Sequence, residues 1–117
     1  MAIMTFELEH GIESNGDNGK VIHKEVGLRE LASGDYIDAQ LAAEKVVVQD
    51  GKAIAYTSDV LYGLELLVRQ VEYIGRIQGP INIKTLRKLH QDDFNLLQHK
   101  ASELDQLITE ELEKRGR

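Results

Sequence analysis

The stretch LRELASGDYIDAQLAAEKVV, residues 28–47, separates a turn-rich segment before it from long helical patterns after it. Ser33 has the side chain of a helix N-cap, and Asp35 would place negative charge at the positive end of the helix dipole. The residues that follow contain no proline or glycine and are mostly good helix formers. We therefore predict a helix over residues 33–47 that serves packing or recognition, since its side chains are not chemically reactive.

The segment before this helix has the pattern of a β-hairpin. Thr5–His10 and Lys20–Leu28 both show the period-two alternation that is typical of strands. Ser14–Gly19 between them contains two Asn-Gly steps, which suit the positive φ angles of tight turns. These features predict a hairpin over about residues 1–28. Because two strands alone are only marginally stable, we expect the hairpin to lie on the helix at 33–47.

Two further helices are predicted after the central stretch. Residues 58–76 begin with Ser58 as a cap, carry apolar side chains at spacings of three and four, and end before Pro80. Residues 91–114 carry the same apolar spacing almost to the end of the chain. The region between the first two helices, residues 46–56, fits either a second small hairpin or an ordered loop.

The order of these elements predicts a helix-dominated α+β fold, an N-terminal β-hairpin followed by three helices, in a single domain over residues 1–117. Met1–Phe6 lacks the basic start and apolar run of a signal peptide. The apolar runs are far shorter than the ~20 residues of a membrane helix. We therefore expect a cytoplasmic protein without a membrane partner.

The charge and the reactive side chains limit the possible functions. The net charge of −6 and the lack of a sustained basic patch argue against nucleic acid as a partner. Cysteine is absent. A zinc site needs three or four converging ligands, whereas the four histidines lie far apart in the sequence. These histidines are His10, His23, His90 and His99. Asp92 and Asp93 suit the first turn of a helix. We predict no catalytic residue, no metal site and no cofactor; a deep pocket lined by His90, Asp92 and Asp93 would instead indicate an enzyme.

The last helix is long for so small a body, so its distal half is expected to project beyond the core. Projecting apolar residues usually mark an interaction surface, although packing within the domain is the alternative. The predicted protein-binding residues are Leu104, Leu107, Ile108 and Leu112, with Tyr36 and Leu41 of the first helix as further candidates.

Three segments in this order resemble the small tail assembly chaperones of Mu-like, contractile-tailed bacteriophages. They are VGLRELASGDYIDAQLAAEKV at residues 26–46, GLELLVRQVEYIGRIQGP at 63–80 and LRKLHQDDFNLLQ at 86–98. The resemblance covers about residues 21–98 and implies a small helix-rich domain with an N-terminal hairpin.

The resemblance also implies a function. Such a chaperone binds the phage tape measure protein in the infected cell and keeps its hydrophobic helices soluble while tail tube subunits polymerise around it. The expected partners are therefore the tape measure protein, the tail tube protein and further copies of this chain, and the finished particle is expected to lack it. A longer frameshifted form is expected in such phages. From the residues alone, the alternative is a small acidic adaptor or regulatory module that acts as a homo-oligomer.

Overall fold

The computed structural model describes residues 2–115. Met1, which belongs to the predicted hairpin, and Gly116 and Arg117 of the predicted domain lie outside the described residues. Within that range the chain forms six strands and four helices. In chain order they are β1 (Met4–Gly16), β2 (Gly19–Leu28), α1 (Ser33–Ala42), β3 (Glu44–Gln49), β4 (Lys52–Thr57), α2 (Asp59–Gln70), β5 (Val71–Ile74), β6 (Ile77–Gln78), α3 (Ile83–Leu86) and α4 (Gln91–Arg115).

The prediction of a helix-dominated fold with three helices is wrong. Helices hold 45% and strands 36% of the described residues, so the fold is mixed rather than helix-dominated. The predicted helices 33–47 and 58–76 are both too long, because residues 44–47 belong to β3 and residues 71–74 to β5. The C-terminal parts of both predicted helices contain β-branched side chains, whose restricted χ1 angles favour a strand over a helix.

The N-terminal hairpin is present, but with an irregularity that matters for the site. β1 and β2 pair antiparallel from Met4–Leu28 to Gly16–Gly19, and their register shifts between Glu7 and Ile12. Gly11 lies in this bulge with a φ of 81°, and a Cβ there would come within 2.7 Å of the His23 carbonyl oxygen. The bulge therefore depends on glycine at this position.

The larger sheet has the strand order β1-β2-β5-β6, and it lies on α4 and α2 rather than on α1. The expectation that the hairpin rests on the first helix is therefore wrong. The buried residues of α1 and its C-cap are only Ala39 and Ala43, and α1 packs against α2. The core is aliphatic; it consists of Leu8, Ile12, Val26, Leu28, Leu67, Val68, Val71, Ile74, Ile81, Leu86, Leu97, Ala101 and Leu104.

The ambiguous region at 46–56 is a hairpin. β3 and β4 pair antiparallel from Glu44–Thr57 to Gln49–Lys52 and form a separate two-stranded sheet. Asp50 and Gly51 both have positive φ angles, 53° and 78°, as a type I′ turn requires. All six residues of each strand are exposed.

The molecule is flat and extended for its length. Its radius of gyration is 16.8 Å and its principal extents are 55 × 48 × 23 Å, whereas a compact domain of this length has a radius of gyration of about 13 Å. Within residues 2–115, no helix combines the length and the apolar character needed to cross a bilayer.

Candidate protein-binding groove

A groove runs between α4 on one side and α1 and α2 on the other, and we call it the helix groove. It consists of two adjoining cavities of about 510 and 380 Å³, which share Leu31, Tyr36 and Asp105. The larger cavity lies between α2 and the middle of α4, and the smaller one lies beside the distal part of α4. The apolar lining includes Leu31, Tyr36, Val60, Leu64, Leu66, Leu67, Ala101, Ile108 and Leu112.

The α2 helix presents a glycine to the groove. Gly63 lies in the middle of α2 and lines the larger cavity, and a Cβ built on it would meet no atom within 4 Å among the described residues. Glycine inside a helix costs about 1 kcal/mol relative to alanine. Packing within this chain does not explain the glycine, because the space above it is open. The backbone of a partner, in contrast, could come closer to α2 because Gly63 has no side chain.

The lining of the groove also contains polar and acidic side chains. The Gln70 side-chain amide donates to Asp105 Oδ1 at 3.1 Å and so links α2 to α4. Partial burial, followed by the nearby Asp105 carboxylate, raises the pKa of the Tyr36 phenol. The exposed carboxylates of Glu30 and Asp59 also lie on the lining. The lining of the groove is therefore mixed, with about as much polar as apolar surface and an acidic edge.

The start of α1, which carries Tyr36, is fixed by an ion pair. The Arg29 guanidinium donates to both carboxylate oxygens of Asp35 at 2.8 and 3.0 Å, and Asp35 Oδ2 also accepts the Ala32 N–H at 2.7 Å. The hydrogen bonds from Arg29, and then from Ala32, hold the pKa of Asp35 below its usual value. Ala32 is the N-cap of α1, so the prediction that Ser33 caps this helix is wrong.

The structure brings together three of the six predicted contact residues. Tyr36, Ile108 and Leu112 line the smaller cavity of the helix groove. Leu107 is exposed on another face of α4, and Leu41 is exposed on α1. Leu104 is only 3% exposed and belongs to the core, so it cannot contribute to an exposed surface.

Other groove residues were not anticipated from the sequence. Val60, which is 77% exposed, and Gly63 lie in the predicted second helix, but neither is among the predicted protein-binding residues. The glycine in the middle of an otherwise apolar helix was the available signal, because such a residue often marks close approach of another backbone.

The exposed hairpin of β3 and β4 is a second apolar surface. Val47 and Ile54 are cross-strand partners and share one face, whereas Val46 and Val48 lie on the other face. All four are exposed, as is Tyr56. Large exposed apolar surfaces of this kind mark interaction sites in soluble proteins.

The aspartates at the start of α4 have different roles. The carboxylate of Asp93 is fully buried and accepts the backbone N–H groups of Glu9 at 2.7 Å, His10 at 3.1 Å and Gly11 at 2.9 Å; we call this arrangement the Asp93 clamp. Asp92 is exposed. Because Asp93 is inaccessible, it cannot line the deep pocket that would have indicated an enzyme.

Comparison with known proteins places these features in a family context. The protein family described as "Tail assembly protein gp41" matches residues 8–117. The chain is 39% identical over 100 residues to the Mu-like prophage FluMu protein gp41 of Haemophilus influenzae, which covers 85% of this chain and 79% of that protein. It is 37% identical over 112 residues to the "probable tail assembly protein gp41" of Escherichia phage Mu, covering 95% of this chain and 78% of that protein.

A longer protein of phage Mu matches as well. The chain is 36% identical over 111 residues to the "probable tail assembly protein FS-gp41", covering 94% of this chain and 59% of that protein. No solved structure matches the chain significantly.

Proposed function

This chain belongs to the family of the tail assembly protein gp41 of phage Mu, and from that premise we propose that it is a tail assembly chaperone. It binds the phage tape measure protein and keeps it soluble in the cytoplasm of the bacterial host, without catalysis and without entering the finished tail. The observation that best supports this function is the helix groove, because apolar side chains from three helices line it together and can contact the apolar face of a partner helix.

The proposed binding mode is that of a helix in a groove. An amphipathic helix places the side chains of one face, at spacings of three and four residues, into an apolar channel. The apolar side chains of the helix groove can accept such a stripe between the polar positions of the lining, and Gly63 at its wall allows the backbone of the partner helix to approach closely. The acidic edge formed by Glu30, Asp59 and Asp105 favours helices whose apolar stripe is flanked by lysine or arginine.

Self-association is the second part of the proposal. A two-stranded hairpin that is exposed on both faces is marginally stable in water, and its free edges can pair with another strand. The exposed hairpin is therefore the surface through which we expect copies of this chain to join. Several joined copies present several grooves, so that each weak contact along one tape measure protein strengthens the others through effective concentration.

The remaining partners and forms are proposed from the family. The tail tube protein would meet this chain where tube subunits replace it on the tape measure protein. The existence of gp41 and the longer FS-gp41 in phage Mu supports the expectation of a longer form here, since the matched stretch is 78% of one and 59% of the other.

The test is co-expression of this chain with the tape measure protein of the same phage, followed by size-exclusion chromatography with light scattering. We expect a soluble complex that contains several copies of this chain, whereas the tape measure protein alone precipitates. If the partner precipitates regardless, the chaperone function is contradicted. A complex of one copy per partner at fixed stoichiometry would contradict the multi-copy mechanism and favour the adaptor.

Gly63→Leu tests the groove itself. The leucine would fill the open space above α2, and since leucine is a better helix former than glycine, the fold should not be weakened. We expect the variant to remain folded and to lose the tape measure complex. Gly34→Leu is the matched control, because Gly34 also faces open space on a helix but does not line the groove. Equal losses in both variants would argue against the groove.

A further inference from the structure

Three potential metal ligands from opposite ends of the chain meet beside the start of α4. His10 Nε2 lies 3.3 Å from Asp92 Oδ2, and His90 Nδ1 lies 3.5 Å from the same oxygen. The ligand atoms of the three residues all lie within 4.8 Å of one another. The two imidazole rings stack with their centroids 3.8 Å apart and their planes at 23°.

The Asp93 clamp fixes this arrangement through the backbone. The buried carboxylate of Asp93 accepts N–H groups from both sides of His10 as well as its own, so the bulge of β1 is tied to the first turn of α4. His10 is thereby held beside His90 and Asp92, which follow it 80 and 82 positions later in the sequence. The cluster therefore depends on buried hydrogen bonds rather than on mobile surface side chains alone.

The separations match those of a metal coordination sphere. Zinc binds histidine nitrogen and carboxylate oxygen at about 2.0–2.2 Å, which places neighbouring ligand atoms of a tetrahedral site about 3.4 Å apart. The separations of 3.3 and 3.5 Å from Asp92 Oδ2 already have this size. To point a nitrogen of each ring at one ion, the two exposed imidazoles have to leave their stacked arrangement by rotation about their side-chain bonds, and this rotation also sets the third separation.

We propose that His10, His90 and Asp92 bind one divalent transition metal ion of the zinc class, with water completing its coordination. Two imidazoles and one carboxylate favour Zn²⁺, Ni²⁺, Co²⁺ or Cu²⁺ over Mg²⁺ and Ca²⁺, which prefer oxygen ligands alone. The ion links β1 to α4 from outside, beside the link that the Asp93 clamp makes from inside. This site is independent of the helix groove and of the proposed chaperone function.

Metal binding breaks one hydrogen bond of the site, and water can replace it. His90 Nδ1 accepts the Asp92 N–H at 3.1 Å, and this hydrogen bond is lost when the nitrogen binds the ion. Because both residues are exposed, water replaces the lost acceptor. The positive end of the α4 dipole opposes a cation, whereas the adjacent carboxylates of Asp92 and Asp93 offset it.

The test is calorimetric titration of the full chain, with any affinity tag removed and residual metal stripped, using Zn²⁺, Ni²⁺ and Mg²⁺ in turn. We expect one Zn²⁺ or Ni²⁺ per chain, no comparable binding of Mg²⁺, and a rise of a few degrees in the melting temperature with Zn²⁺. His10→Asn, His90→Asn and Asp92→Asn should each weaken zinc binding at least about tenfold.

His99→Asn is the matched control. His99 Nε2 lies 3.0 Å from Glu103 on an exposed face of the same helix, but these two residues form no group of three ligands among residues 2–115. The control should bind zinc as the unchanged chain does. Equal weakening by His99→Asn, or zinc binding that survives His10→Asn and His90→Asn in variants with native circular dichroism, would overturn the site. Comparable binding of Mg²⁺ would overturn its assignment to the zinc class.

Discussion

The side chains of Asp92 and Asp93 are neighbours in the sequence but serve different purposes. Both fit the first turn of a helix, and helix-start rules explain them equally well from the sequence. In the structure Asp93 is buried against the bulge of β1, whereas Asp92 is exposed beside two histidines. This division could not be predicted, because it depends on a contact between residues more than 80 positions apart.

The ion pair of Arg29 and Asp35 makes a pH-dependent contribution to stability. The folded-state pKa of Asp35 lies below its unfolded value, so its contribution is complete above the unfolded pKa of about 4 and is lost as the pH falls through the lower folded pKa. We expect Asp35→Asn to lower the free energy of unfolding by about 1 kcal/mol at pH 7.

Urea denaturation between pH 7 and pH 3 measures this effect. The difference between the unchanged chain and Asp35→Asn should narrow steadily below about pH 4. A difference of the same size at both ends of this range would mean that the ion pair does not cause it.

The elements show where local sequence patterns succeed and where they fail. The apolar spacing predicts α4, and the turn residues predict the N-terminal hairpin. The ends of α1 and α2 were misjudged, because β-branched residues there continue the apolar pattern while favouring strands. The support of the sheet by α4 rather than α1 was not readable, since α1 buries only small alanine side chains.

The α4 helix changes role along its length, and two leucines mark the change. Leu104 is buried in the core, whereas Leu112 is 60% exposed and lines the smaller cavity of the groove. Leu104→Ala should lower the free energy of unfolding by about 3 kcal/mol, because it leaves a cavity. Leu112→Ala should change it by less than about 0.5 kcal/mol and should weaken the tape measure complex. Thermal or urea denaturation measures the stability of both variants, and co-purification with the tape measure protein measures the binding of Leu112→Ala. A large loss of stability in Leu112→Ala would place this residue in the core.

The whole molecule exposes many large apolar side chains and is thin for its length. Its radius of gyration of 16.8 Å reflects two separate sheets and a groove rather than one compact body. A composition with only 5% aromatic residues and no tryptophan is typical of an aliphatic core, but it does not predict this shape. We expect a flat shape with exposed valines in a chain that acts together with other chains, and a single sequence does not reveal such contacts.

The exposed hairpin supplies the prediction for the assembled state. Val46→Asp combined with Val48→Asp places two charges on one exposed face, so we expect a folded chain with a lower mass by light scattering or sedimentation. Ile22→Asp is the control, since Ile22 is a similarly exposed β-branched residue on a strand of the other sheet. If the mass of the double variant equals that of the unchanged chain, the hairpin does not mediate self-association.

The Asp93 clamp has a consequence for how the chain is made. The three N–H groups of β1 leave the ribosome early, but their acceptor follows more than 80 residues later. At about 5–20 residues per second, this interval lasts several seconds. During synthesis the bulge of β1 therefore waits, without its acceptor, until the last helix has begun to emerge, and it is fixed only near the end of translation.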